Sequence, residues 1–183
     1  MTRRFTRIGA VLGAVTLAAA LALTMGTRPA HATSFGEISV SYNNSWCITA
    51  LNDMSPGSEL VLGICAGAAS QEYAAIFVGG GSAYYELQNE ADDLCITNLG
   101  GNGQHDGSYA VLGNCAAAAN QIFNQQPAYG SGEAWVMPER TDNNGNHLTL
   151  DNAGGNTQVN NHIDYSYYGA TLPSESWSGP PIG

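Results

Sequence analysis

Between residues 151 and 168 the chain gathers side chains whose chemistry is hydrogen bonding and stacking. Asp151 and Asn152 stand together, Asn160, Asn161 and His162 follow, and Tyr165, Tyr167 and Tyr168 close the stretch. An ionised carboxylate accepts hydrogen bonds, amides donate and accept, and a tyrosine adds a flat apolar body with a polar tip. These are the materials for holding a polyhydroxylated ring such as a sugar. The candidate contacts are Asp151, Asn152, Asn161, His162, Tyr165 and Tyr167. The same residue types also suit a turn-rich polar loop with tyrosines half-packed on a core, so their placement in the fold must decide.

Other chemistries are less well provided for. The stretch Asp142-Asn143-Asn144-Gly145-Asn146 has the front of a calcium loop, but the twelfth position, where an EF-hand needs Glu, is Ala153. It reads as a turn. His105, His147 and His162 have metal-binding nitrogens, yet His147 and His162 align as readily with lost cysteines as with ligands. Neither C-x-x-C, H-E-x-x-H nor G-x-S-x-G occurs, and no carboxylate pair is marked out for glycoside hydrolysis. The reading is a non-enzyme with no cofactor and no metal.

The elements that must position these residues show in a repeated cysteine frame. Cys47-Ile48-Thr49 leads to Val61-Leu62-Gly63-Ile64-Cys65 and then to Gln71-Glu72-Tyr73; Cys95-Ile96-Thr97 leads to Val111-Leu112-Gly113-Asn114-Cys115 and then to Gln121-Ile122-Phe123. Self-similarity at a period near 50 residues means a fold built from copies of one small unit. A third, eroded copy reads as His147-Leu148-Thr149 for the Cys-Ile-Thr start, 159–162 for the segment around the second cysteine, and Glu175-Ser176-Trp177 for Gln-x-aromatic. Four cysteines allow three pairings; the repeats select Cys47–Cys65 and Cys95–Cys115.

Short runs rich in Val, Ile, Leu and Tyr, at 38–42, 60–64, 74–78, 84–87, 109–112 and 134–137, alternate with clusters of Gly, Asn, Asp, Ser and Pro. That pattern predicts an all-β barrel or sandwich. No stretch holds a helical apolar period, and the alanines at 66–69 and 116–119 read as tight turns.

Arg3, Arg4 and Arg7, an apolar run over 8–23 and Ala30-His31-Ala32 form a secretory signal over 1–32. The run is shorter than the roughly 20 residues a membrane span needs. This leaves 33–183 as one secreted domain without membrane insertion, in an oxidising compartment where four cysteines read as two disulfides. Beyond residue 32 the chain keeps Arg140 alone among Lys and Arg, and all 15 Asp and Glu, a net charge of 1 − 15 = −14. Nucleic acid is excluded as a partner, because its phosphates are held by Lys and Arg. Such acidity suits solubility, or a basic partner.

The cysteine pairs, the step of six to Gln and the trailing aromatic resemble the ricin-type β-trefoil lectin family, whose repeat is Cys-Leu-Asp, a second Cys, then Gln-x-Trp. The resemblance covers 33–183 and implies a β-trefoil of three repeats, at about 36–83, 84–133 and 134–183, two of them with an internal disulfide. It implies that Tyr73, Phe123 and Trp177 are core residues. In that family an Asp two residues after the first cysteine accepts hydrogen bonds from sugar hydroxyls, and an aromatic near the second cysteine stacks on the ring. Here Thr49, Thr97 and Thr149 are read at the Asp position, and Gly63 and Gly113 replace the aromatic; of the Asn-Gln pair only Asn120-Gln121 is intact. The expectation is therefore a secreted carbohydrate-binding protein with its site in the third repeat. The alternative is a protein-interaction module, an adaptor subunit or protease inhibitor whose loops engage another secreted, basic protein.

Overall fold

The computed structural model describes residues 34–51, 54–79, 83–99, 107–141, 144–169 and 172–180. The leader read at 1–32 and His105 lie outside them. Among the described residues there are thirteen strands: β1 (Gly36–Glu37), β2 (Ser39–Val40), β3 (Asn43–Ala50), β4 (Leu60–Ile64), β5 (Glu72–Phe77), β6 (Tyr85–Asn89), β7 (Leu94–Asn98), β8 (Ser108–Asn114), β9 (Asn124–Pro127), β10 (Glu133–Thr141), β11 (His147–Asn152), β12 (Ile163–Tyr167) and β13 (Trp177–Ser178). The only helical elements among them are three short 3-10 turns, at Ala69–Gln71, Ala153–Gly155 and Pro173–Glu175. The predicted strands all appear, with ends shifted; 38–42 is cut short by a turn at Ser41 and Tyr42. The alanines after each second cysteine lie in connections, as expected.

All pairings are antiparallel, and β13 joins β10 to β2, so the chain's last strand sits between its first and third copies. Apart from β1, which pairs with β5, the strands fall into three sets of four: β2–β5, β6–β9 and β10–β13. The register fixes which residues correspond. Cys47 faces Ser39 on one side and Gly63 on the other; Cys95 faces Gln88 and Gly113; Thr149 faces Val136 and Ser166. Contacts between copies agree, since Leu62, Leu112 and Tyr165 each bond backbone to backbone with the turn of a different copy, at Asn161, Ser58 and Gly107.

This correspondence arranges the core in threes. Ile38, Leu87 and Trp135 form one set, then Ile48, Ile96 and Leu150; Leu60, Ala110 and Ile163; Leu62, Leu112 and Tyr165; and Tyr73, Phe123 and Trp177. All fifteen are completely buried. Strand side chains alternate between faces, so one row of every hairpin points to this centre and the other row points out. Trp177 donates its indole N–H to the Leu150 carbonyl at 3.1 Å, which allows so large a polar-tipped ring to be buried without loss. Tyr73, Phe123 and Trp177 are core, as the resemblance implied. The arrangement is a β-trefoil.

The third copy does not align as read from sequence. Its Cys-Ile-Thr equivalent is Thr149-Leu150-Asp151, not His147-Leu148-Thr149, and its second-cysteine segment runs over 164–168, not 159–162. The reason is a longer connection between β10 and β11. From Val136 to Thr149 the step is 13 residues, against 8 from Ser39 to Cys47 and 7 from Gln88 to Cys95, with a register shift between Met137 and Thr141. The cysteine positions of the third copy are thus Thr149 and Tyr168, and neither His147 nor His162 is a remnant of a bridge. In the other two copies the bridges are Cys47–Cys65 and Cys95–Cys115, with Cα–Cα distances of 5.0 and 5.1 Å.

Candidate functional site

Each copy presents an outer face at five equivalent positions. In the first these are Cys47, Thr49, Val61, Gly63 and Gln71; in the second, Cys95, Thr97, Val111, Gly113 and Gln121; in the third, Thr149, Asp151, Asp164, Ser166 and Glu175.

The first two faces are closed by their own side chains. Thr97 Oγ1 donates to the Cys95 carbonyl at 2.9 Å and accepts from Gln121 Nε2 at 2.8 Å. Gln121 Nε2 also donates to the Asn114 carbonyl at 2.8 Å, while its Oε1 accepts from the Ala116 amide at 2.9 Å. Gln71 repeats this on the Ile64 carbonyl and the Ala66 amide, at 2.9 and 2.8 Å. A Cβ at Gly113 would stand 2.6 Å from Thr97 Oγ1, and one at Gly63 2.8 Å from Thr49 Cγ2. No larger side chain fits over either threonine, and the glutamine amides are already engaged in holding the turn beyond the second cysteine. One acid in each copy assists that turn: Glu37 Oε1 accepts from the Gly67 amide at 2.8 Å, and Glu86 Oε1 from the Ala116 and Ala117 amides at 3.0 and 2.6 Å. Glu37 and Glu86 lie near the sulfurs of Cys47–Cys65 and Cys95–Cys115, but a disulfide sulfur is not the thiolate a metal requires.

The third face is built differently on the same backbone. Asp151 lies directly opposite Asp164 across β11 and β12. Glu175 occupies the glutamine position and keeps its role as acceptor, taking the Gly169 amide at 3.3 and 3.1 Å on its two oxygens and the Ser166 hydroxyl at 3.2 Å. It has no donor to offer the strand carbonyl. Tyr168, at the second cysteine position, is half-buried, donates its hydroxyl to the Pro127 carbonyl at 2.7 Å, and has its phenol pKa raised by burial and then by the charge of Glu175. The face therefore carries two half-buried carboxylates, Asp151 and Asp164, beside an aromatic ring, with the carboxylate of Glu175 completely buried beneath them. Past residue 32 the chain has one arginine and no lysine, so at most one such cation can balance them.

The structure redistributes the residues singled out from sequence. Asp151 stands on this face, at the position two after the first cysteine equivalent. Asn152 and Tyr165 are completely buried and cannot touch a ligand; Tyr165 belongs to a core layer with Leu62 and Leu112. Asn161 turns its amide onto its own loop, donating to Asn152 Oδ1 and to the Ala153 and Asn156 carbonyls, the latter two at 2.9 Å. His162 stacks on Tyr109 at 4.3 Å and 15°, with Nδ1 3.3 Å from Glu59 Oε2; these three occupy one equivalent position in the three copies, where His162 pairs across copies with Val61 of the first outer face. Tyr167 is exposed but alternates to the opposite side from Asp151. Sequence reasoning missed Asp164, Ser166, Tyr168 and Glu175 as companions of Asp151. The signal was Thr149-Leu150-Asp151, a closer match to Cys-Leu-Asp than His147-Leu148-Thr149.

No family model and no curated protein matches the sequence. Solved structures do. A designed threefold-symmetric protein, ThreeFoil, superposes with a TM-score of 0.65 at 16% identity, over 78% of this chain and 95% of that one. The Rhizoctonia solani agglutinin gives 0.65 at 14%, over 79% and 92%. The β-trefoil lectin of the Vibrio vulnificus hemolysin/cytolysin, solved with N-acetyl-D-lactosamine bound, gives 0.56 at 16%, over 81% and 94%. These likenesses identify the fold as the β-trefoil found in ricin B-like lectins.

Proposed function

We propose that this is a secreted, non-catalytic carbohydrate-binding protein whose site is the outer face of the third copy. The observation that carries the reading is the placement of Asp151. It takes up the position where the resembling lectins have their sugar-binding Asp, while threonines at the same position close the other two copies. Asp151 and Asp164 supply charged acceptors for adjacent hydroxyls, which make short, strong hydrogen bonds. Tyr168 supplies a flat surface beside them. The carboxylates of Asp151 and Asp164 repel acidic sugars, so the ligand is a neutral or amino sugar. The fold shared with glycan-binding neighbours, and the leader-like sequence read at 1–32, support the reading.

The test is a glycan array probed with the wild type, Asp151→Asn and Thr97→Ala. Binding to neutral or amino glycans, lost in Asp151→Asn and kept in Thr97→Ala, is expected; equal behaviour of the two variants would remove the site from the third copy. The acidity of the face favours one second reading, a lysine- or arginine-bearing segment of another secreted protein. Exposed charges act over about 10 Å at 0.1 M salt, so such a complex weakens steeply as salt rises, whereas a neutral sugar's affinity stays flat.

A further inference from the structure

We infer that Asn161 is a positioning residue, which pre-forms the wall of the third-copy site by locking the loop over 152–156; this rests on the function proposed above. One amide nitrogen serves three acceptors of that loop, Asn152 Oδ1, the Ala153 carbonyl and the Asn156 carbonyl. The loop leaves β11 after Asn152, one residue beyond Asp151, so its conformation sets what stands near that carboxylate. It is a segment that needs fixing: Gly154 and Gly155 both have positive φ, 66° and 69°, and consecutive glycines leave a chain many alternatives. Its far side rests on the turn that carries Glu175, and a Cβ added at Gly155 would lie 3.9 Å from Ser174 Cβ.

Comparison between copies isolates the role. Asn161 is equivalent to Ser58 and Ser108, and its backbone does what theirs does: Leu62 donates to the Asn161 carbonyl at 2.7 Å as Leu112 does to that of Ser58 at 2.9 Å. The side chains differ. Ser58 Oγ accepts from the Ser55 amide, within its own turn, at 3.2 Å. Asn161 reaches out of its turn and into the loop beside the site. The fold thus accepts serine here, and the longer amide is an addition confined to the copy that keeps the Asp.

The test compares wild type, Asn161→Ser and the double variant Asn161→Ser with Gly154→Asn, using the glycan identified on the array. Asn161→Ser is expected to speed hydrogen exchange of the amides at 153–156 and weaken glycan binding roughly three- to tenfold, the scale of ordering a few residues on binding. Asparagine tolerates the left-handed backbone, and a Cβ at Gly154 meets nothing closer than 3.5 Å. Gly154→Asn is therefore expected to restore part of the affinity by stiffening the loop without the Asn161 bonds, a rescue that a merely structural role would not give. Val40→Ala, a core change on β2, serves as the stability control. Unchanged affinity in Asn161→Ser, or a loss equalled by Val40→Ala and not rescued, overturns the inference while Asp151→Asn still tests the site. Absence of glycan binding by the wild type sinks the site itself and this inference with it.

Discussion

The second and third copies put the same backbone to different uses. In the second, Thr97, Gly113 and Gln121 interlock with the disulfide and with Glu86, and every polar atom of Gln121 is engaged. In the third, the disulfide is replaced by Thr149 and Tyr168, Glu86 by Ala134, and the glutamine by Glu175. The turn after the second cysteine position is held by one carboxylate instead of an acid, an amide and a covalent bridge. Opening the outer face and losing the bridge are therefore linked changes: the groups that close the face are the groups that brace the turn.

The largest expected effect comes from breaking the braced copy. Cys95→Ser with Cys115→Ser removes a bridge closing a loop of about 20 residues and should cost about 3 kcal/mol, read as a lower midpoint in guanidinium unfolding. Thr149→Ser, at the equivalent place in the third copy, should leave the midpoint nearly unchanged.

Bracing the open copy is the converse experiment. Thr149→Cys with Tyr168→Cys places a pair 19 residues apart, between the 18 and 20 of the native bridges. It should oxidise, add about 1–3 kcal/mol, and abolish glycan binding by removing Tyr168. Failure to form the bridge, seen by non-reducing peptide mapping, would break the alignment of the third copy.

Tyr165→Phe should raise stability by about 1 kcal/mol, because the phenol is buried without a hydrogen-bond partner and such a group carries a desolvation penalty. Its glycan affinity should match wild type; a loss would return Tyr165 to the site. Ala117→Gly is the smallest change. Ala117 has φ 48°, where the first copy has Gly67 at 60°, and relieving that conformation should gain roughly 0.5–1 kcal/mol, measured as a higher melting temperature.

The fold was legible because its signals are local: paired cysteines at near-equal steps, alternating short strands, and an aromatic two residues beyond each Gln or Glu. The site was only partly legible. Asp151 was marked by its residue type, but the five or six extra residues between β10 and β11 displaced the alignment of the third copy's first-cysteine segment by two positions and concealed its equivalence to Thr49 and Thr97. At the first-cysteine segment a shift of two preserves strand parity, so the core pattern of β11 gave no warning there. Tyr165 and Asn152 were mistaken for contacts because composition does not say which face a side chain takes. Asp164 and Glu175 were missed because a strand partner and a distant turn reach the face only through the register.

Chemical-shift mapping of backbone amides during titration with the glycan that binds tests the central claim most directly. The account predicts perturbations centred on Asp151, Asp164, Ser166, Tyr168 and Glu175, with the outer faces at Thr49 and Thr97 undisturbed. Perturbations centred on 61–71 or 111–121, with Asp151 and Asp164 unmoved, would contradict it.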